Sequence, residues 1–420
     1  MVYSFNKKEG ILIYWNPLKI LGEIEKMKES LFNYRFEYEN QKYIFNTNNN
    51  GLIQINNDIF TEEEREYLRV NRFWVDDNED EIALLEREIN HNIQKRQKEL
   101  ELTIALTNYC KFSCVYCYQN KNEKLMTTEV ANMIIEKIDR ILNDNIFEGI
   151  NIHYFGGEPL LNIPVLIYLD ENIKKITDKI GIVYKAFLTT NGSMLSKELL
   201  QKVKFSSIQL TFDGLEKTHD RLRVSDHFHF KEEIELIENI MNFSQAKVLL
   251  RTNICKENKD EIIALHKYIF EKFGNERIEI NPNRTIKYHQ DDSFEMLSVQ
   301  EYAEVAYQIK LLWSEQKGKF ELPVPRSTPC KFPYGNAYAI SPEGYCTFCS
   351  GSMDQEKKYF FDVDIENKKM FSVRKECKKC NILPLCLGGC IIQYNLRAGA
   401  CTYEKYELKN ILISYIKHIS

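Results

Sequence analysis

A chain of 420 residues exceeds one ordinary hydrophobic core and has length for two or three domains with a buried site. Hydrophobic residues at 44% and charged residues at 28% are those of a water-soluble globular protein and exclude a disordered, fibrous or membrane class. A net charge of -5 gives no general attraction to phosphate backbones or anionic lipid, so neither nucleic acid nor a membrane is an expected partner.

The opening residues Met1 to Lys8 lack the apolar core of a signal peptide, and no run of about 18 apolar residues follows, so a cytoplasmic location is expected. Residues 1–100 read as a small α+β module of winged-helix type. It comprises a helical stretch from Pro17 to Phe32, β-like runs at Lys42 to Asn46 and Leu52 to Ile55, and then strongly charged helical sequence.

From Leu102 to about residue 320 the pattern alternates between short β-rich runs and helices, as in successive βα units. The predicted strands are 102–107, 149–155, 182–190, 206–213, 246–254 and 277–281. In the first helix Thr127 and Thr128 offer an N-cap, and Val130, Met133, Ile134, Ile138 and Ile141 make one apolar face. Six such units fit an open doubly wound sheet or an incomplete barrel, and periodicity does not choose between them. After Pro323 and Pro325 the composition turns to Cys, Gly and Pro, as where metal ligation replaces a core. The expected domains are 1–100, 101–322 and 323–420.

Twelve cysteines without an export signal read as ligands or catalysts rather than as disulfides. Eleven fall into two groups, and Cys255 stands apart as a buried small side chain. Cys110, Cys114 and Cys117 follow the first predicted strand on one loop. A closed iron-sulfur cluster or a structural zinc takes four protein ligands, whereas three leave one metal position open for a small molecule.

The spacing Cys-x3-Cys-x2-Cys, with Tyr116 before the last Cys, resembles that of the radical S-adenosylmethionine (SAM) superfamily. In that family the open iron of a 4Fe-4S cluster chelates the methionyl group of SAM. Reductive cleavage then gives a 5'-deoxyadenosyl radical that abstracts a substrate hydrogen. Gly156-Gly157-Glu158-Pro159, after the second strand, resembles the family's GGE segment, which contacts the methionine amino group. Thr190, Asn191 and Gly192 after the third strand match its TNG segment. Thr211-Phe212-Asp213-Gly214 followed by His219-Asp220 and Arg223 resembles its S-x-D-G…HD…R pattern, with Thr211 for the usual Ser.

On this resemblance Arg223 pairs with the methionyl carboxylate, Tyr116 packs on adenine, and Thr211 and Asn253 make further polar contacts to SAM. Asp213 is an acid-base candidate, with a turn-forming Asp-Gly as the other reading. The implied fold over residues 101–290 is a (β/α)6 partial TIM barrel.

The second group, Cys377-x2-Cys380-x5-Cys386-x3-Cys390 with a later Cys401, resembles the SPASM extension of some of these enzymes, and Cys330 with Gly344-x4-Cys349 supplies its upstream half. The resemblance implies two auxiliary 4Fe-4S clusters, one on Cys377, Cys380, Cys386 and Cys401, the other on Cys330, Cys349 and Cys390. Cys346 is either the fourth ligand of the second cluster or a bystander; ligand is the favoured reading. A pair of zinc ribbons is the alternative for the whole segment. With the radical cluster, three clusters are expected.

SPASM-bearing enzymes mostly modify peptides and proteins. The run Tyr43 to Thr47, then Gly51 to Ile53, then Phe73 to Asp77, resembles the front end of thioether-forming peptide maturases. The implied partners are a precursor peptide, leader and core, and an electron donor such as flavodoxin or ferredoxin. Carbon-carbon crosslinking, epimerisation and sulfatase-maturase-like oxidation are the alternatives within the class, and a non-catalytic metal-binding interaction protein is the alternative outside it.

Overall fold

The computed structural model describes residues 27–55, 60–144, 147–274, 277–287, 294–347, 349–351, 358–363, 370–390 and 401–419. The chain forms two compact units, one of residues 1–92, 310–329 and 370–420, the other of residues 93–309 and 330–369. Three consecutive segments were expected from the sequence; these units are discontinuous. Among the described residues no helix is long and apolar enough to cross a membrane.

In the first unit β1 (Met27–Glu29) is followed by an antiparallel meander of β2 (Asn33–Tyr38), β3 (Gln41–Asn46) and β4 (Leu52–Ile55), with β3 central. Glu39 and Asn40 join β2 to β3 with φ of 50° and 59°, the two-residue hairpin turn whose twist matches that of paired strands. Helix Glu62–Val70 starts at a capping box in which Thr61 and Glu64 satisfy each other's backbone N–H. Its Leu68 joins Ile44, Ile53, Ile55 and Phe73 in one core. On the meander's other face Leu408, Leu412 and Ile416 of helix Glu404–Ile419 pack with Phe36, Phe45, Ile382 and Leu385.

The two expected β runs of this unit are present; of the helix expected from Pro17 to Phe32, the described part, from residue 27 on, is not helical. Residues 17–26 lie outside the described residues, and Met27–Glu29 is a strand paired antiparallel with β5 (Trp74–Asp76). Ser30 continues that pairing through its N–H to Phe73 O at 3.0 Å, so a partner strand distant in sequence overrides local helix propensity.

The second unit carries β6 (Glu99–Ala105), β7 (Gly149–Phe155), β8 (Val183–Thr189), β9 (Phe205–Thr211), β10 (Lys247–Ile254) and β11 (Ile278–Arg284), all parallel to their neighbours. The six expected strands are therefore observed. The sheet does not stop at β6. β12 (Ala337–Ile340) adds in parallel to its free edge, from Ala337 opposite Glu101 to Ile340 opposite Ile104. β13 (Tyr345–Thr347) and β14 (Lys358–Tyr359) continue antiparallel, giving a mostly parallel sheet of nine strands.

Helix Thr128–Asp144 begins as expected, with Val130 N–H donating to Thr127 Oγ1 at 3.3 Å. Its buried stripe is Ala131, Ile134, Ile138, Ile141 and Leu142, while Met133 is 37% exposed. The correction is one of phase: Met133 sits about 100° round the helix from Ile134.

In helix Ile262–Phe273, His266 is buried and hydrogen-bonded to Thr252 at 3.3 Å. Burial depresses its pKa from 6.5 to about 3. An unfolded chain takes up a proton there that the folded chain refuses, so stability should fall as pH drops from 6.5 toward 4. The melting temperature of His266→Gln, which keeps a hydrogen-bonding side chain without a titrating group, should decline less steeply over that range than the wild type's. Equal slopes would remove His266 from the acid response.

Candidate active site

β6 delivers the chain to the three-cysteine loop at its C-terminal end. Thr107 Oγ1 donates to Lys124 O at 2.8 Å and accepts from Tyr109 N–H at 2.9 Å, fixing the loop's base. Its far side is pinned by Ser113 N–H to Val224 O at 2.8 Å and Val115 N–H to Leu222 O at 3.0 Å. Cys110 and Cys114 are half-buried and Cys117 is exposed. Burial raises the Cys114 thiol to about 11 against the lowering effect of Arg223, and burial raises Cys110 as well.

The GGE turn packs directly on this loop. Gly157 N–H donates to Thr107 O and Glu158 N–H to Tyr109 O, both at 2.8 Å. A Cβ at Gly156 would strike Thr107 O, and one at Gly157 would strike Tyr109 O and sit 2.6 Å from the Tyr109 carbonyl carbon. The glycines are thus required by the cysteine loop's own backbone.

Glu158 is 1% exposed, and its oxygens accept from Leu160 N–H (3.0 Å), Thr190 Oγ1 (2.6 Å) and Asn191 N–H (2.7 Å). Burial raises its pKa and these bonds pull it back. Expected to meet the methionyl amino group, Glu158 holds the TNG turn in this structure. Asn191 Nδ2 then points at Cys110 Sγ, 3.7 Å away. Segments after β6, β7 and β8 are so tied into one assembly.

The next two strands supply a buried charge cluster. Asp213 is 0% exposed and accepts from the Tyr116 hydroxyl and from Asn253 N–H at 2.7 Å. Burial raises its pKa. Enclosed in this way, Asp213 anchors Tyr116 to β10, which is a positioning geometry rather than one open to substrate. The Tyr116 ring meets Phe294 edge-on, 6.4 Å between centroids. Thr211 is buried at the end of β9, and Asn253 Oδ1 accepts from Arg251 Nε at 2.8 Å.

Arg223, 6% exposed, lies 5.4 Å over the Phe112 ring, between Cys110 and Cys114 in sequence. Its Nη2 is 4.0 Å from Glu233 Oε1, while its buried Nε has no hydrogen-bond partner. That unspent donor suits a carboxylate ligand. Glu233, whose other oxygen is 3.1 Å from His219 Nε2, is fully buried and was missed in the sequence. Only its place on the stripe of Phe230, Ile234, Ile237 and Ile240 would have set it apart from the exposed glutamates of helix Phe230–Phe243.

Of the later cysteines, Cys330, Cys346 and Cys349 belong to the second unit and Cys377, Cys380, Cys386, Cys390 and Cys401 to the first. Cys346 is buried on β13 and Cys330 is exposed. Cys377 lies within electrostatic reach of Cys380 and Cys401, and Cys386 within reach of Cys380. Among the described residues no three His, Cys, Asp or Glu side chains already stand as a metal site. The donor set nevertheless fits iron-sulfur ligation. It consists of thiols, and N–H groups point at sulfur, from Gly351 to Cys349 at 3.3 Å and from Gly388 to Cys386 at 3.4 Å. Cys255 is buried against Asn258, as its isolation implied.

Residues 104–269 match the profile of the Radical SAM superfamily, so the chain carries a radical SAM domain. The protein is accordingly an enzyme. MJ0907, an uncharacterized protein of Methanocaldococcus jannaschii, is 34% identical over 119 residues, 27% of this chain and 39% of that one, so the chain spans well under half of that relative. The radical SAM cyclopropyl synthase TigE of Paramaledivibacter caminithermalis is 23% identical over 372 residues, 78% of this chain and 76% of TigE.

Among solved structures, anSMEcpe with bound AdoMet and the Kp18Cys peptide aligns at a TM-score of 0.59 and 18% identity, covering 76% of this chain and 98% of that one. Streptococcus suis SuiB bound to the precursor peptide SuiA aligns at 0.51 and 16%, covering 90% and 98%. These likenesses are of fold, and they agree with the mostly parallel sheet of a partial barrel.

Proposed function

We propose that this enzyme modifies a ribosomally made precursor peptide, and that the modification is a Cys thioether crosslink. The observation that carries the radical reading is the union of the three-cysteine loop, the GGE turn and the TNG turn through Glu158, with Asn191 directed at Cys110. The peptide reading is supported by the solved complexes of SuiB with its precursor peptide SuiA and of anSMEcpe with the Kp18Cys peptide.

On this proposal Cys110, Cys114 and Cys117 would hold a 4Fe-4S cluster that binds SAM. Cys377, Cys380, Cys386 and Cys401 hold one auxiliary cluster, and Cys330, Cys346, Cys349 and Cys390 the other. When bound, the first cluster with SAM supplies the radical that takes a hydrogen from the peptide. The chain's own part is to orient. Arg223 presents its free Nε to the methionyl carboxylate, Asp213 keeps Tyr116 in place, and the buried wall behind Glu158 excludes water. Residues 1–100 act as the peptide-recognition domain, 101–322 as the radical barrel and 323–420 as the SPASM domain, and a flavodoxin or ferredoxin in the cytoplasm is the electron donor.

β4 lies at the edge of the meander, where an extended leader segment would add a strand. Beside it Leu52, Ile53, Val70, Phe73, Leu322 and Val324 line a pocket for its side chains.

The test is anaerobic co-expression with peptides encoded by neighbouring short reading frames, followed by tandem mass spectrometry. The expected product has lost two hydrogens per bond and has a Cys that no longer alkylates. Loss of two hydrogens with an unchanged thiol count would exclude the thioether in favour of a carbon-carbon bond or oxidation. Reconstituted protein that cannot cleave SAM with dithionite would sink the radical reading.

A further inference from the structure

The face of the sheet turned away from the helices carries a directed chain of polar side chains that no motif accounts for. Tyr184, bonded to Asp170 at 2.5 Å, and Thr252, bonded to His266 at 3.3 Å, mark the helix-facing side. Strand alternation puts His153, Thr189, Gln209, Asn281 and Asn283 on the opposite face. The register agrees, with Thr189 opposite Gln209, Arg251 opposite Asn281 and Asn253 opposite Asn283.

Asn283 Nδ2 donates to Asn281 Oδ1 at 2.7 Å, and Asn281 Nδ2 to Gln209 Oε1 at 3.2 Å. Gln209 Nε2 donates to Thr189 Oγ1 at 3.3 Å, and Thr189 Oγ1 lies 2.8 Å from His153 Nε2. A carboxamide gives only through nitrogen and receives only through oxygen, and the Thr189 hydroxyl, which receives from Gln209 and has a second lone pair open, finds among the described residues no acceptor for its own proton other than His153 Nε2. A chain polarised one way along its length strengthens each link, and its last acceptor is the imidazole.

The proton of the neutral ring then sits on Nδ1, which has no hydrogen-bond partner among the described residues. His153 is half-buried, with its ring 5.9 Å from that of Phe155. Burial, helped by the positive charge of Lys331, holds its pKa down to about 4, so the ring stays neutral at working pH. Among the described residues the chain ends on a ring N–H that no neighbour takes up.

We infer that this chain fixes His153 as the Nδ1–H tautomer and that this N–H is a hydrogen-bond donor to a carbonyl oxygen of the substrate peptide. The role is one of positioning, and it rests on the peptide-modifying reading above.

The test has two arms on the cluster-loaded enzyme. In the first, 15N NMR of histidine-labelled protein, assigned with His153→Gln, reads the tautomer. The expected signal is a neutral Nδ1–H ring that does not titrate between about pH 5 and 7, and Thr189→Val should release the preference. An Nε2–H ring, or protonation near the ordinary histidine value, would overturn the inference.

The second arm measures kinetics with the peptide found by co-expression. An Asn side chain places its amide nitrogen near ring Nδ1, a Gln side chain near Nε2. His153→Gln should raise the peptide KM about tenfold, the effect of one lost hydrogen bond, with kcat changed much less. His153→Asn should restore KM to within about twofold, half-rescuing or better a contact of that size. Equal impairment of the two variants, or a fall in kcat at constant KM, would refute the substrate contact. If the unaltered enzyme modifies no peptide, the functional reading itself fails and the substrate half of this inference with it, while the tautomer is still decided by NMR.

Discussion

Alanine at Cys110, Cys114 or Cys117 is expected to abolish cleavage of SAM to 5'-deoxyadenosine and to lower iron from about 12 to about 8 per chain, at four irons per cluster. Each of the three thiols is one of only three on its loop, so no neighbour can replace it. At Cys110 the change also strips Asn191 Nδ2 of its sulfur partner at 3.7 Å. Cys255→Ala is the matched control: that thiol is buried against Asn258 Oδ1 at 3.6 Å and the proposal gives it no metal. It should lose some stability and keep about 12 irons. Iron and sulfide assays with product chromatography separate the cases, and a Cys114→Ala protein that still cleaves SAM would mean the radical site lies elsewhere.

Gly157→Ala should be nearly as damaging without touching a ligand. The new methyl group would strike Tyr109 O, lie 2.6 Å from the Tyr109 carbonyl carbon and 2.8 Å from Asn108 O. All three are main-chain atoms of the segment leading into the cysteine loop, which cannot swing aside as a side chain does. Overpacking of this kind costs about 1–3 kcal/mol or more, and relief requires parting the GGE turn from the loop. SAM affinity and iron retention should both drop, with a lower denaturation midpoint. Gly181→Ala provides the comparison, since its φ of 83° is strained for alanine but nothing lies within 4 Å. It should cost about 1–2 kcal/mol and leave SAM binding intact. If the two variants behaved alike, crowding at the loop would not be the reason for the glycine.

Much of this was legible because parallel βα architecture writes itself into sequence twice, as β-rich runs and as motifs at their ends. All six parallel strands were found from that coincidence. What could not be read depends on partners distant along the chain. β1 takes its form from β5, and Ala337–Ile340 is a four-residue run that becomes a strand between β6 and β13. Glu158 was assigned to a ligand by resemblance, and its bonds to Leu160, Thr190 and Asn191, two of them a strand away, could not be read from the sequence. His153 looks like any polar residue of an alternating strand until Thr189, Gln209 and Asn281 come into register with it.

β12 also bears on how far this enzyme can be taken apart. Without it β6 would end the sheet with a row of bare amide and carbonyl groups, the kind of border that recruits foreign strands. Evolution has closed that border with a segment arriving more than two hundred residues later, framed by Cys330 and Cys346. The strand that leads to the Cys110 loop is therefore paired with the segment that carries Cys330 and Cys346. A fragment cut after residue 322 would lack β12 and leave the β6 edge bare, a border prone to pairing with other chains.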